Sequence, residues 1–347
     1  MPTAMFSIGR SGLTASRTSL ELTSQNIANV ANSDFARRSL AQSEVVGSGN
    51  IGFNSSDAFG GVRLSGIERA QSQLVQRQAR DSASALASTA AELRAMTAAE
   101  TALERTGLFE AMVGFEAALT RLESDPTSAP LRTGVLESAR RLAGTFNTAN
   151  ETLANARRLT IGEAEADVLT VNTLTDDLAR INREMVAARD GSAGKAALLD
   201  SRDAALRKLA DQLGITATFN PDGTVVVQAN GTPPTPLVQG GNNAAFSLAV
   251  GADGTLAFAI DGAPFAPASG AMAGRAAALQ AKADLQFQLD GLAGNLVALV
   301  NGAQAAGSDL AGNPGQPVFA GTGAGSIAVA MTNGAGLATA AAGAPAG

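Results

Sequence analysis

The stretch Leu198–Gly231, LLDSRDAALRKLADQLGITATFNPDGTVVVQANG, holds the change of pattern on which the fold turns. Its first half keeps helical spacing, with Leu199, Arg202, Leu206, Leu209 and Leu213 on one stripe. Gly214 then sits where a helix C-cap glycine belongs. From Ile215 the period drops to two, and β-formers alternate around Asp222-Gly223 and Asn230-Gly231, dipeptides suited to tight turns. FSLAV (246–250), TLAFAID (255–261) and APFAPASG (263–270) continue that pattern to about Gly270. A helical chain therefore takes in a small β-rich unit.

Upstream, Val171, Leu174, Leu178, Ile181 and Met185 are spaced 3-4-3-4, and the turn RDGSAG (189–194) follows them. Val135, Ala139, Leu142, Phe146 and Leu153 repeat the rhythm after Pro130. Leu108, Met112, Phe115, Leu119 and Leu122 carry it as far as Pro126. Leu86, Leu93, Met96 and Leu103 line one face of residues 70–104, and Leu279, Leu285, Leu289, Leu292, Leu296 and Leu299 mark a returning helix. Long heptad segments joined by tight turns predict a mainly α chain with a small β insertion. The architecture is a long antiparallel helical bundle plus an inserted β-rich unit and an N-terminal assembly helix. The expected division is 1–32 for that helix, 33–214 for a turn/strand region and the bundle, 215–270 for the β-rich insertion, 271–306 for the returning helix and 307–347 for a Gly/Ala-rich loop and tail. The ending GAGLATAAAGAPAG (334–347) has too little apolar bulk to order itself.

In the first helix Phe6, Leu13, Leu20 and Ile27 recur every seven positions beside a mostly small seam of Gly9, Ser16, Thr23 and Val30. This reads as one narrow apolar edge built for a partner. The plainer alternative is an amphipathic helix docked on its own core. SQNIANVANSDFARRSL (24–40) closes the helix with Asn26, Asn29 and Asn32. Asn26 and Asn29 share a face and read as amides for a neighbouring subunit's backbone; Asn32 reads as a cap. Arg37 and Arg38 would anchor the following turn.

Composition removes whole classes of chemistry. Among 347 residues there is no His, Cys, Tyr or Trp, which takes away the commonest general base, thiolate nucleophiles, the usual zinc ligands and any disulfide. The net charge of −6 gives no electrostatic reason to expect nucleic acid or an anionic membrane. The longest apolar run, LAGNLVALV (292–300), is far below the ~20 residues of a membrane span, and the N-terminus lacks the basic flank and apolar core of a cleavable secretory signal. GSGNIG (47–52) matches a dinucleotide fingerprint in letters only, because loop follows it. GSAGK (191–195) lacks the first glycine and the hydroxyl of a phosphate loop, and DLAGNPG (309–315) has Ala320 where a calcium loop needs Glu. The pairs Asp176/Asp177 and Asp200/Asp203 have no cleft signal, and Asp203 with Arg207 reads as a solvated i,i+4 pair. No catalytic, cofactor or metal site is expected, and the chain does not read as an enzyme.

SLELTSQNIANVANSDFARRS resembles the N-terminal motif of flagellar axial proteins, roughly SxNIANxxTPGYxR. Asn26, Ile27, Ala28, Asn29 and Arg37 match it, while Ser33, Asp34 and Phe35 stand for Pro, Gly and Tyr. GGVRLSGIERAQSQLVQRQAR (60–80), the LLDSRDAALRKLADQLG segment and LVNGAQAAGSDLAGNPGQPVFAG (299–321) narrow the resemblance to the hook-associated protein 1, or FlgK-type, family. The resemblance implies a structural protein of the hook–filament junction, polymerising into a ring. It implies as partners the hook protein, a second junction protein, the flagellar export apparatus and a chaperone. Its expected location is the extracellular flagellum, reached without a cleaved signal. Together the heptad stripe and the matched motif give Phe6, Leu13, Leu20, Ile27, Asn26, Asn29 and Arg37 as the expected interface residues. A hook or distal-rod protein, or a secreted coiled-coil adhesin, is the alternative. Family members carry C-terminal heptad helices that this chain does not show before Gly347, so either a truncated chain or a variant without its polymerisation half is expected, the free apolar stripe favouring truncation.

Overall fold

Where helical spacing runs unbroken, the computed structural model has helices: α1 (Pro2–Ala28), α2 (Gln73–Glu104), α3 (Leu108–Ser124), α4 (Ala129–Ala187), α5 (Ala193–Gln212) and α6 (Ala271–Ala305). Residues 2–32, 34–45 and 61–341 are described; GSGNIG lies outside them. Two runs that look separate in sequence, Val135–Leu153 and Val171–Met185, belong to one 59-residue helix, α4, about 88 Å long at 1.5 Å per residue. Proline marks both sides of the α3–α4 turn: Asp125, ahead of Pro126, leaves the helical region, and Pro130 falls in the first turn of α4, where its missing N–H costs nothing. The architecture is mainly α with an inserted β-rich segment. Among the described residues no helix is long and apolar enough to cross a membrane.

The chain forms two compact units. The first comprises Met1–Ser88, Asp167–Leu248 and Phe258–Ala273; the second comprises Thr89–Ala166, Ala249–Ala257 and Gly274–Gly347. In the first, strands β1 (Arg38–Glu44) and β2 (Val62–Arg69) pair antiparallel, with a bulge between Ala41 and Gln42. The β-rich segment holds β3 (Ile215–Phe219), β4 (Val225–Ala229), β5 (Gly231–Thr232), β6 (Thr235–Gln239), β7 (Asn242–Asn243), β8 (Phe246–Val250), β9 (Leu256–Ile260) and β10 (Ala263–Pro267). They form two antiparallel sheets, ordered β3-β4-β6-β7 and β5-β10-β9-β8. Period-two burial places Val225, Val227 and Ala229 inside, and Phe246 stacks on Phe258 at 5.6 Å between centroids.

Two turn expectations change in this segment. Asp222-Gly223 does close the β3–β4 connection, but Asn230-Gly231 carries the chain from one sheet into the other, since Gly231 pairs with Pro267 of β10. Gly214 is not a left-handed cap. The helix ends at an extended Leu213, and a Cβ on Gly214 would lie 2.1 Å from Ser269 Oγ, so close approach is what requires glycine there.

The second unit packs Phe115 and Leu122 of α3, Val135, Leu142 and Phe146 of α4, and Leu289 of α6 around one core. Short strands β11 (Gly307–Ser308), β12 (Phe319–Ala320), β13 (Ala328–Val329) and β14 (Ala340–Ala341) belong to the segment after α6. That segment supplies Phe319, Ile327, Met331 and Leu337 to the same core, with Phe319 edge-on to Phe115 at 5.6 Å. The expectation that residues from Gly334 onward cannot order themselves therefore fails for 334–341. Arg132, 1% exposed, donates to the carbonyls of Pro126, Gly334 and Leu337 and to Thr339 Oγ1, so a helix side chain supplies what the glycines and alanines lack. On α2 the expected stripe is buried only in part: Leu86 and Leu93 are exposed, Met96 is half-buried, Leu103 packs against this core, and Ala95 and Ala99 face inward.

Candidate assembly site

Helix α1 has two faces with different fates. Ser11, Ala15, Leu22 and Asn26 recur at three-to-four and seven-residue steps, which places them on one side of the helix. Ala15 and Leu22 are buried, and Ser11 Oγ accepts the N–H of Val62 on β2. Asn26 closes this side like an extra strand partner: its Nδ2 donates to Arg38 O at 2.8 Å and its Oδ1 accepts the Arg38 N–H at 2.9 Å. The sequence offered that amide to a neighbouring subunit; the structure engages both its ends within the chain. A buried strand end leaves two backbone groups to be satisfied, and one side-chain amide satisfies both.

The opposite side carries the predicted stripe in the open. Phe6 is 80% exposed, Leu13 75%, Leu20 70% and Ile27 69%. Burying such side chains is worth roughly 1.5–3 kcal/mol each, so a partner that covers them gains several kcal/mol. Beside them Gly9 has open space at its Cβ, so a second helix can approach the backbone closely. Asn29 donates to Gln25 O one turn back, and Asn32 accepts the N–H of Asp34, shaping the turn beyond α1 rather than ending the helix. Arg37 is exposed and gives its carbonyl to Ala70 N–H, whereas Arg38 points inward over the Phe35 ring, 4.8 Å from its centroid.

What fixes this hairpin is the motif in LLDSRDAALRKL. Asp200 accepts Arg38 Nη2 at 2.6 Å, Arg69 Nε at 2.9 Å and Arg69 Nη2 at 2.6 Å, and also takes the Ala36 N–H. Asp203 accepts Arg69 Nη2 at 2.9 Å and Gln71 Nε2 at 2.7 Å on one oxygen; Arg202 Nε and Nη2 approach the other at 3.0 and 2.8 Å. Arg202 also donates to Gly223 O, and Arg207 pairs with Asp34. Helix α5 thereby ties β1, β2, the turn after α1 and the β3–β4 loop together. This corrects the reading of Asp203–Arg207 as a solvated pair: Asp203 is 3% exposed and faces Arg69, while Arg207 reaches a different acid. Burial pushes the Arg202 guanidinium below its ordinary range, and Asp203 opposes that shift.

A backbone contact completes the joint. Gly191 O accepts the Ile67 N–H, and a Cβ on Gly66 would meet Gly191 Cα at 2.8 Å; both glycines have positive φ, 151° and 69°. GSAGK is thus the α4–α5 turn, with Ser192 capping α5 by accepting the Lys195 N–H. In DLAGNPG, Asp309 accepts the N–H groups of Ala311 and Asn313 and closes the loop on itself. Among the described residues no group of three or more His, Cys, Asp or Glu is placed to hold a metal ion.

Three comparisons bear on this arrangement. The family model described as the flagellar hook-associated protein FlgK helical domain matches residues 96–319. Flagellar hook-associated protein 1 of Bacillus subtilis (strain 168) is 24% identical over 231 residues, covering 64% of this chain and 46% of that protein. The flagellar hook junction protein FlgK from Burkholderia pseudomallei has a structure similar to this one, with a TM-score of 0.60 and 21% identity over 70% of this chain and 46% of that one. The chain thus spans about half the length of these two relatives. With the matched region running from residue 96 to residue 319, well over half of its length, the chain belongs to the flagellar hook-associated FlgK family through that family's helical domain.

Proposed function

We propose that this chain is a structural axial protein of the bacterial flagellum that occupies the junction between hook and filament. It works mechanically: α1 docks on neighbouring subunits through Phe6, Leu13, Leu20 and Ile27, and subunits so joined build a ring. Asn29, half-buried, and Arg37, exposed, flank that contact, and Asn26 holds the helix to its hairpin beside it. The partners on this reading are further copies of the chain, the hook protein and a second junction protein. Delivery is by the flagellar export apparatus with its chaperone, a route that suits a chain without cysteine.

The observation that carries the reading is the free stripe on a helix already docked by its other face. A helix without a partner would keep four large apolar groups in water for no structural gain. The test replaces Leu13 and Leu20 by Asp in cells whose only copy is the variant. Incorporation into the flagellum should be lost while circular dichroism of the purified variant keeps its helical signal. Normal junctions and normal swimming would overturn the reading.

A further inference from the structure

A cleft of about 590 Å³ opens in the first unit beside the ionic joint, and its walls include Arg69, Gln71, Gln76, Lys195, Arg202 and Phe219. The charge around its floor does not balance. Four guanidiniums, those of Arg38, Arg69, Arg80 and Arg202, gather near three carboxylates: Asp200 and Asp203 pair with the guanidiniums of Arg38, Arg69 and Arg202, while Arg80 feels Asp203 and Asp81 through space. Arg80 is 3% exposed and lies 5.9 Å from the centroid of the Phe219 ring, which it shares with Arg202 at 4.4 Å. Its Nη1 is buried and has no hydrogen-bond partner, and the same holds for Arg38 Nε. Burial lowers the pKa of Arg80 as well as that of Arg202, and Asp203 opposes the shift in both. Surplus buried positive charge is costly, and an arriving anion relieves it.

We propose that this cleft binds a polypeptide segment that presents a carboxylate. Gln71, Gln73, Gln76 and Asn220 line it with side-chain amides, which carry both donor and acceptor and so match a peptide backbone. Arg69 and Arg202 supply the cationic wall, and Phe219 and Leu199 give apolar surface that a small inorganic anion would not use. At the rim Lys195 is held by Asp190, whose side chain is 92% exposed, so an incoming carboxylate competes with Asp190 for that ammonium.

The test uses the full chain and isothermal titration with an end-capped tri-glutamate peptide, with capped tri-glutamine and inorganic phosphate as the other arms. Tri-glutamate should saturate, and tri-glutamine should bind at least about tenfold more weakly, the loss of one charge-assisted contact. Lys195→Gln should weaken tri-glutamate binding roughly fivefold, and Asp190→Asn should tighten it roughly twofold by freeing the lysine. Both changes lie at the rim, so folding is retained, and dichroism checks it. Absence of saturation at about 10 mM peptide, equal binding of tri-glutamine, or unchanged affinity in both variants would overturn the proposal. Phosphate binding as tightly as tri-glutamate would overturn its assignment to a peptide.

Discussion

In the first unit Arg69 and Arg202 lie against the carboxylates of Asp200 and Asp203; in the second Arg132 and Lys282 lie against neutral oxygens. The carboxylates bring together elements far apart in the chain, residues 34–71 and 200–207, by matching charge. The neutral acceptors do a different job. Arg132 organises backbone too poor in side chains to pack, and Lys282 donates to Ala156 O at 3.1 Å and Thr160 Oγ1 at 2.7 Å. Buried pairs depend strictly on each partner, because removing one leaves the other charged and desolvated. Asp203→Ala therefore has the largest expected effect, a loss of roughly 3–5 kcal/mol, because it strips acceptors from Arg69, Gln71 and Arg202 together. Urea denaturation followed by dichroism measures it, and a loss below about 1 kcal/mol would show that the joint is dispensable.

Arg132→Met sharpens the same comparison at lower cost. No hydrogen-bonded carboxylate is left bare, Asp309 losing only a through-space attraction, but the carbonyls of Gly334 and Leu337 lose their donor, which costs roughly 1–3 kcal/mol. Hydrogen exchange should quicken at Leu337, Ala338 and Thr339, whose N–H groups bond Gly334 O, Gln304 Oε1 and Ser308 O, while exchange in the middle of α4 stays slow. Equal acceleration throughout the second unit would mean that Arg132 supports the core as a whole rather than the segment after α6.

How much of this was legible follows the same divide. Apolar spacing shows itself in sequence because burial repeats with the helix, so Val135 to Leu153 and Val171 to Met185 were both readable, though not their continuity as one helix. The FlgK-type motifs were readable as well. The ionic joint was not: Asp200 and Asp203 sit on an ordinary amphipathic pattern, and their partners Arg38 and Arg69 are more than 130 residues away in sequence. One signal was present but misassigned. Asparagines inside helices are unfavourable by propensity, yet Asn26, Asn172, Asn182 and Asn301 each donate to one backbone carbonyl or more and accept a backbone N–H from an extended segment. Each of these four helical asparagines marks a strand-like neighbour within the chain, which is why Asn26 turned inward.

Lys282 gives the smallest effect and the one with a defined pH sign. It is 1% exposed, and burial lowers its pKa from the ordinary lysine value of 10.5, with Glu163 pulling the other way. Arg94 and Glu163 share the cavity that it lines. Because the folded value lies below the unfolded one, the unfolded chain binds more protons between the two, and stability rises with pH across that window. Below the window both states are protonated and the burial penalty is present in full. Lys282→Met keeps the bulk and removes the charge, and Thr160 Oγ1 still donates to Ala156 O. Thermal melts from neutral pH to about 10 should show the wild type gaining on the variant as pH rises, with other titrations cancelling between the two. A constant difference, or a wild type that falls behind, would mean that the ammonium is fully compensated by its two neutral oxygens, and the contrast between the units would shrink to one of geometry alone.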